Sequence, residues 1–327
     1  MESRAGIVGT GAALPARVLT NRDLEKMVDT SDEWIRTRTG IRERRIVGPG
    51  EGCVDLAADA SRKALDAAQV RASELDLIIC ATASPDQPLP ATAALLQTQL
   101  GAPHAAGFDL AAACSGFVYG LSVADQFVRT GQARRVLVVG AEALSRFVDF
   151  TDRETCVIFG DGAGAVVVAP VAAPRGVLRT RLGLNGAYAG HLQVPGGGSR
   201  EPADAATVRA GRHFIKMKGN ELFKVAVKSL EEVSRGILED AGVSAADVKL
   251  YVPHQANERI TVAVADRLGF PRERVLSNID RIGNTSSASI PIGLDEAARS
   301  GRLSAGDLVL MAAFGAGVTW AAALVRW

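Results

Sequence analysis

Apolar and polar positions along this chain fall into two patterns, helical and strand-like, and the same succession occurs twice. Residues 65–80, LDAAQVRASELDLIIC, read as the end of a helix, a short turn and a buried β-strand. Residues 238–253, LEDAGVSAADVKLYVP, read the same way. At a constant offset of 173, Leu65, Ala68, Val70, Ala72 and Leu77 recur as Leu238, Ala241, Val243, Ala245 and Leu250. Acidic positions follow: Asp66 pairs with Glu239, and Glu74 with Asp247.

The parallel continues downstream. Each strand precedes a helical pattern that closes on Leu-Gly, at Leu100-Gly101 and Leu268-Gly269. A strand-like segment and a small-residue turn come next, DLAAACSGF in one half and DRIGNTSSA in the other. A helix then ends at Arg129-Thr-Gly131 or Arg299-Ser-Gly301, before the strands VLVVGAEA and DLVLMAAFGAG. Such self-similarity predicts a duplicated supersecondary unit. Strands alternating with helices predict an α/β fold with sheets enclosed by helical layers. The pattern breaks at APVAAPRG, residues 169–176, dividing the chain into halves 1–172 and 173–327.

Composition narrows the possibilities. Of 327 residues, 47% are apolar and only 5% aromatic, so the core is aliphatic; 34 glycines fit close helix–sheet packing. Charge is balanced, 37 basic against 36 acidic residues, which argues against nucleic-acid or anionic-membrane binding. The four cysteines lack C-x-x-C spacing and there are only four histidines, which disfavours a structural zinc site. No apolar stretch of 18 residues occurs, and MESRAGIVGTGAALP does not read as a signal peptide. A cytoplasmic protein is expected.

Candidate chemistry gathers at the turns of the repeat. Cys114 sits in AAACSGF after the strand-like residues 105–110. Phe117, Val118, Leu121, Ala124, Phe127 and Val128 share one helical face, predicting a helix over 115–129. A thiol at its start feels the positive helix end, which favours thiolate; most free cysteines, though, are inert core thiols. His254 follows the strand KLYV, and Asn284 lies in RIGNTSSAS. Alone, each also reads as a structural histidine and a turn or cap residue. Together they fall at corresponding exits of a repeated unit, where open α/β sheets collect active sites. Cys, His and Asn suit acyl transfer: a thiolate holds the acyl group, while imidazole and amide donate hydrogen bonds to an oxyanion.

The chain also resembles the β-ketoacyl-acyl-carrier-protein synthase III family, within the thiolase-like superfamily. The motifs run from GIVGTGAALP through DTSDEWIRTRTGIRERR, AAACSGFVYGLSVADQFV, CVIFGDGAGAVVV, MKGNELFKVAV, VPHQANERI and GNTSSASIP to FGAGVTWAAALVRW. The resemblance implies a five-layered α-β-α-β-α thiolase-like fold from two duplicated halves. It implies that Cys114 takes an acyl group from acyl-CoA. His254 and Asn284 then assist malonyl-acyl-carrier protein in losing CO2, and the carbanion attacks the acyl-Cys114 thioester. The implied oxyanion hole is the backbone N–H of Cys114 with that of Ala316. No metal or redox cofactor is implied.

By the same resemblance, Trp34 and Arg153 sandwich the CoA adenine, Arg38 meets the phosphates, and Asn220 and Asn257 bond the pantetheine arm. Thr30 belongs to this CoA-binding set, and Thr30-Ser-Asp-Glu33 reads as a capping box. Lys224 and Arg259, extended by Lys216 and Lys218, form a basic rim for the acidic carrier protein. Leu89 and Phe314 are assigned to the primer pocket, Leu89 reaching that of the partner in a homodimer. Leucine there is smaller than the phenylalanine of acetyl-using relatives, which implies longer or branched primers.

Other signals carry less. Gly9-Thr-Gly11-Ala-Ala-Leu14 mimics a dinucleotide fingerprint but lacks its third glycine, and Pro15 interrupts the required helix. Phe159-Gly-Asp-Gly-Ala-Gly164 reads as a tight turn between packed strands, Cys53, Cys80 and Cys156 as core thiols, and residues 195–202, PGGGSREP, as a mobile loop edging the tunnel. Two rivals share the Cys–His–Asn set: a synthase of secondary metabolism with another primer or acceptor, and a cysteine thioester hydrolase.

Overall fold

Two sheets, each clothed by helices, organise the chain in a computed structural model that describes residues 3–327. The first sheet contains β1 (Ser3–Ala13), β2 (Leu77–Ala81), β3 (Ala106–Leu110), β4 (Val136–Glu142) and β5 (Gly162–Ala172), in the order β1-β5-β4-β2-β3. The second contains β6 (Gly176–Leu184), β7 (Leu250–Pro253), β8 (Leu308–Gly315) and β9 (Thr319–Arg326), in the order β7-β8-β9-β6. Strand directions match as well as order. β2 and β4 pair parallel, as do β7 and β8; the β4–β5–β1 and β8–β9–β6 pairings are antiparallel. One counterpart is missing. Opposite β3, the second half has only a single parallel bridge, Tyr251 to Val275, in place of the expected strand-like segment.

Six helices complete the layers: α1 (Cys53–Ala68), α2 (Thr92–Leu100), α3 (Gly116–Arg129), α4 (Gly219–Ala241), α5 (Glu258–Leu268) and α6 (Ser289–Arg299). Strand alternation decides which layer each residue enters. Leu77 and Ile79, Val136 and Val138, and Val309 and Met311 point inward, onto α3 and α6 between the sheets. Ile78 and Cys80, and Leu137 and Val139, point outward against α1 and α2. Leu308, Leu310, Ala312 and Phe314 point outward against α4 and α5. The result is α-β-α-β-α.

The repeated helix ends share their stop signals. Gln69 and Gly242, 173 residues apart, both take left-handed φ, +55° and +65°, to close α1 and α4. Gly101 and Gly269 close α2 and α5 in the same way. The first-half glycines do not cradle a nucleotide. A Cβ at Gly9 would stand 2.5 Å from the Ala68 backbone nitrogen, so this face of β1 lies directly on α1. Gly164 is as tightly set against Ile292 N, which fits a packed turn.

Candidate active site

The start of α3 is built as an elbow. After β3 the chain makes a short 3-10 turn over Ala113–Ser115, which carries Cys114, and then enters α3 one residue later than the pattern predicts. Ala113 takes φ +47°, a left-handed conformation that costs a non-glycine residue about 1–3 kcal/mol and needs surrounding structure to hold it. That structure comes from the other half. Gly315, ending β8, passes so near that a Cβ there would be 2.7 Å from Cys114 N. Thr319 donates a hydrogen bond from Oγ1 to Ala112 O at 2.9 Å, fastening the turn after β8 onto the elbow. Neither the Cys114 nor the Ala316 backbone N–H takes part in the turn and loop hydrogen bonds among the described residues.

The second half repeats the elbow at the same offset. Ser286 also takes φ +47°, in the 3-10 turn Ser286–Ala288 that leads into α6. Asn284 stands just before it. Its N–H donates to Ile158 O and its own carbonyl accepts from Gly160 N, both at 2.9 Å, so backbone bonds pin it beside Phe159. Its Oδ1 accepts from Ser286 N at 2.8 Å. That leaves Nδ2, which has no protein acceptor among the described residues, as the free end of the amide.

His254 leaves the end of β7 with its N–H donating to Ala312 O at 2.8 Å. Its ring lies buried, with Nδ1 2.7 Å from Ser289 Oγ and Nε2 without a partner among the described residues. Burial lowers its pKa to about 3, so the imidazole is neutral throughout the working range. Burial pushes the Cys114 thiol up to about 12; the Ser286 side chain opposes the rise and the Glu142 charge adds to it. Desolvation of the buried sulfur thus opposes the thiolate that the helix end favours.

A cavity of about 260 Å³ opens onto Cys114. Ala113, Ser286 and Ala316 surround the sulfur end, and Leu144, Phe147, Phe159, Leu192, Val194 and Ile215 supply apolar wall. No sequence signal marked these six as site residues. His254 and Asn284 are not wall residues; they are tied to the cavity through Ser289 and Ser286, members of one short segment. Phe314 does not line this cavity directly. It shares strand parity with Leu308, Leu310 and Ala312, so it packs outward against the α4 side and is absent from the wall. Leu89 is 85% exposed and does not line this chain's own cavity. Gln193 and Val194 line it, whereas residues 195–202 that follow do not.

Near the cavity, two guanidinium groups lie over the Trp34 ring. Arg38 is 4.7 Å and Arg153 4.8 Å from its ring centroid. Trp34 packs on the cluster containing Leu144, Phe147, Phe159 and Ile215, so indole and cavity share one apolar foundation. The helix that bears it runs from Asp32 to Thr39 and is capped by Ser31, whose Oγ accepts from Trp34 N at 3.1 Å. The expected cap at Thr30 is thus displaced by one residue, and Thr30 Oγ1 is buried without a partner among the described residues. Asn257 caps α5 through Oδ1 and donates from Nδ2 to Arg38 O at 3.0 Å, so one amide hydrogen remains for any ligand. Asn220, Lys216, Lys218, Lys224 and Arg259 are exposed, and Arg259 lies 5.4 Å from the Phe223 ring centroid. Among the described residues no cluster of three or more His, Cys, Asp or Glu is placed to hold a metal. No described helix is long and apolar enough to cross a membrane.

A five-layered duplicated fold whose elbow cysteine opens onto an apolar cavity defines a thiolase-like condensing enzyme. The sequence family 3-Oxoacyl-[acyl-carrier-protein (ACP)] synthase III matches residues 108–186, and its C-terminal counterpart matches residues 238–327. A Beta-ketoacyl-[acyl-carrier-protein] synthase III of Symbiobacterium thermophilum is 54% identical over 322 residues, covering 98% of each chain. The crystal structure of 3-oxoacyl-[acyl-carrier-protein] synthase III from Aquifex aeolicus is 51% identical, with a TM-score of 0.92, and covers 99% of this chain and 100% of that one. The priming β-ketosynthase of the R1128 polyketide pathway is 37% identical, with a TM-score of 0.92 and coverage of 99% and 96%. The chain belongs to the β-ketoacyl-acyl-carrier-protein synthase III family, and it is an acyltransferase.

Proposed function

We propose that this enzyme joins an acyl-CoA primer to malonyl-acyl-carrier protein in a decarboxylative Claisen condensation that initiates fatty acid synthesis. The observation that carries the reading is a pair of side-chain nitrogens without protein partners among the described residues, His254 Nε2 and Asn284 Nδ2, tied through Ser289 and Ser286 to the segment that meets the Cys114 cavity. In the first half-reaction the Cys114 sulfur attacks the primer thioester, and its proton passes to the departing CoA sulfur, which leaves as the free thiol. The N–H groups of Cys114 and Ala316 hold the tetrahedral oxyanion. In the second, malonyl-acyl-carrier protein loses CO2. The electron pair moves into an enolate whose oxygen accepts hydrogen bonds from His254 and Asn284. Neutral donors suit this step, because nothing in the site has to be deprotonated. The carbanion attacks acyl-Cys114, collapse releases the 3-ketoacyl thioester and expels the Cys114 thiolate, and a proton taken up from solvent restores the thiol.

Trp34, Arg38 and Arg153 form the CoA nucleotide site in this reading, with Thr30, Asn220 and Asn257 along the pantetheine. Lys224 and Arg259 dock the carrier protein. Leu89 reaches the cavity of a second copy in a homodimer, and its exposure supports that role. The reaction needs no cofactor. Priming of a secondary-metabolite pathway is the second reading, favoured by the likeness to the polyketide enzyme. Mass spectrometry after incubation with labelled acetyl-CoA tests the nucleophile. Wild-type protein gains one acyl group and Cys114→Ala gains none; acylation of that variant refutes the assignment. His254→Ala slows CO2 release from malonyl-acyl-carrier protein more than self-acylation.

A further inference from the structure

His254 can serve as a hydrogen-bond donor only if the proton of its neutral ring resides on Nε2, and the structure contains a device that places it there. Ser289 is fully buried at the first position of α6, and its Oγ lies 2.7 Å from His254 Nδ1. The same oxygen is approached by one backbone donor, the Gln255 N–H, at 3.4 Å. Among the described residues Ser289 Oγ has no other hydrogen-bond partner, so the hydroxyl hydrogen has one acceptor in reach, Nδ1. In the opposite arrangement Nδ1–H would donate to Oγ. The hydroxyl hydrogen would then be buried with nothing to accept it, a costly state for an interior polar group. Nε2 has no protein partner among the described residues in either case, so the opposite arrangement leaves two unmet groups against one, and the count selects the Nε2–H tautomer.

The surroundings allow no easy escape by ring movement. His254 N–H is bound to Ala312 O, and the adjacent Gln255 side chain donates to Pro253 O and Leu276 O and accepts from Asn278 N. The segment around the ring is fixed from both sides.

We infer that Ser289 is a positioning residue that donates its hydroxyl hydrogen to His254 Nδ1, holds the imidazole as the Nε2–H tautomer and so presents a donor, not a base, to the thioester oxygen. This rests on the reading of His254 as a decarboxylation donor. It adds that the same contact keeps His254 from taking the Cys114 proton through Nε2. One residue thereby separates the two half-reactions.

The test begins with wild-type protein labelled with ¹⁵N-histidine and examined by NMR at neutral pH. The chain has four histidines, and a His254→Asn variant assigns the signal. Expected is a protonated Nε2 and an unprotonated Nδ1; a protonated Nδ1 overturns the inference without any variant having to fold. Ser289→Ala should slow CO2 release from malonyl-acyl-carrier protein about tenfold, the worth of one hydrogen bond. Self-acylation by acetyl-CoA should hold near the wild-type rate, and Ser289→Thr, which keeps the hydroxyl, should restore CO2 release. Equal loss of both half-reactions in Ser289→Ala refutes the positioning role. Failure of wild-type protein to release CO2 at all refutes the proposed reaction instead, while the NMR signal still reports the tautomer.

Discussion

Glu142 is a fully buried carboxylate at the end of β4, and it links the two halves of the molecule. It accepts hydrogen bonds from Ala83 N at 3.0 Å, Ser84 Oγ at 2.6 Å and Ser287 Oγ at 2.8 Å, the last belonging to the second elbow. Glu142→Ala removes the acceptor of all three. Ser287 can turn to Ala81 O, 2.9 Å away, but among the described residues no alternative acceptor is in place for the buried Ser84 hydroxyl. The stranded buried Ser84 hydroxyl at about 1–3 kcal/mol, with a cavity added, puts the loss at about 2–4 kcal/mol; the Ala83 N–H is exposed and can turn to water. That is a large share of the 5–15 kcal/mol that stabilises a typical folded protein. Urea denaturation followed by fluorescence of the three tryptophans measures it. Glu142→Gln keeps the shape and should fall between wild type and Glu142→Ala. A loss below about 1 kcal/mol in the alanine variant would refute the reasoning. It would mean that the carboxylate's desolvation already cancels its hydrogen bonds, as burial's upward push on its pKa allows.

Three further expectations follow from the same geometry. With a thiol pKa near 12, the rate of Cys114 alkylation by iodoacetamide should climb with pH through 9 with no plateau; a plateau near pH 7 would show that the helix end prevails over burial. Gly315→Ala places a carbon 2.7 Å from Cys114 N, so acylation measured by mass spectrometry should fail while circular dichroism still reports a folded chain. His254 stays neutral in the fold down to about pH 3, whereas the unfolded chain protonates it below about 6.5. Stability from this group is therefore complete above pH 6.5 and is lost as pH falls toward 3, by up to about 1.4 kcal/mol per pH unit. His254→Asn should flatten that part of the urea-midpoint profile, and an unchanged slope would contradict the buried neutral ring.

Much of the architecture could be read from periodicity because the duplication gave two samples of each pattern. The helix–turn–strand units at 65–80 and 238–253 match the observed α1–β2 and α4–β7 boundaries, even to the left-handed caps at Gln69 and Gly242. The lost counterpart of β3 was not legible, since it depends on strand pairing. Within the site, Cys114, His254 and Asn284 stood out as rare polar side chains at repeat exits. The walls did not, because Leu144, Phe147, Phe159 and Ile215 are apolar residues scattered over 72 positions of sequence and meet only in space. Ser289 was one serine among several. Phe314 was legible in principle: its even spacing from Leu308 and Leu310 places it on the outward face. The state of the thiol depends on how far water is excluded, which no local motif encodes.

Ala113 and Ser286 share a φ of +47°, so the ancestral duplication preserved a bend in the main chain, not a reactive group. The residue after each bend is cysteine in one half and serine in the other. Side chains there were free to diverge because the peptide path alone sets where they point. A redesign that exchanges what these two corners carry would begin with its geometry already in hand, provided positions 113 and 286 are kept free of β-branched residues, which resist that conformation.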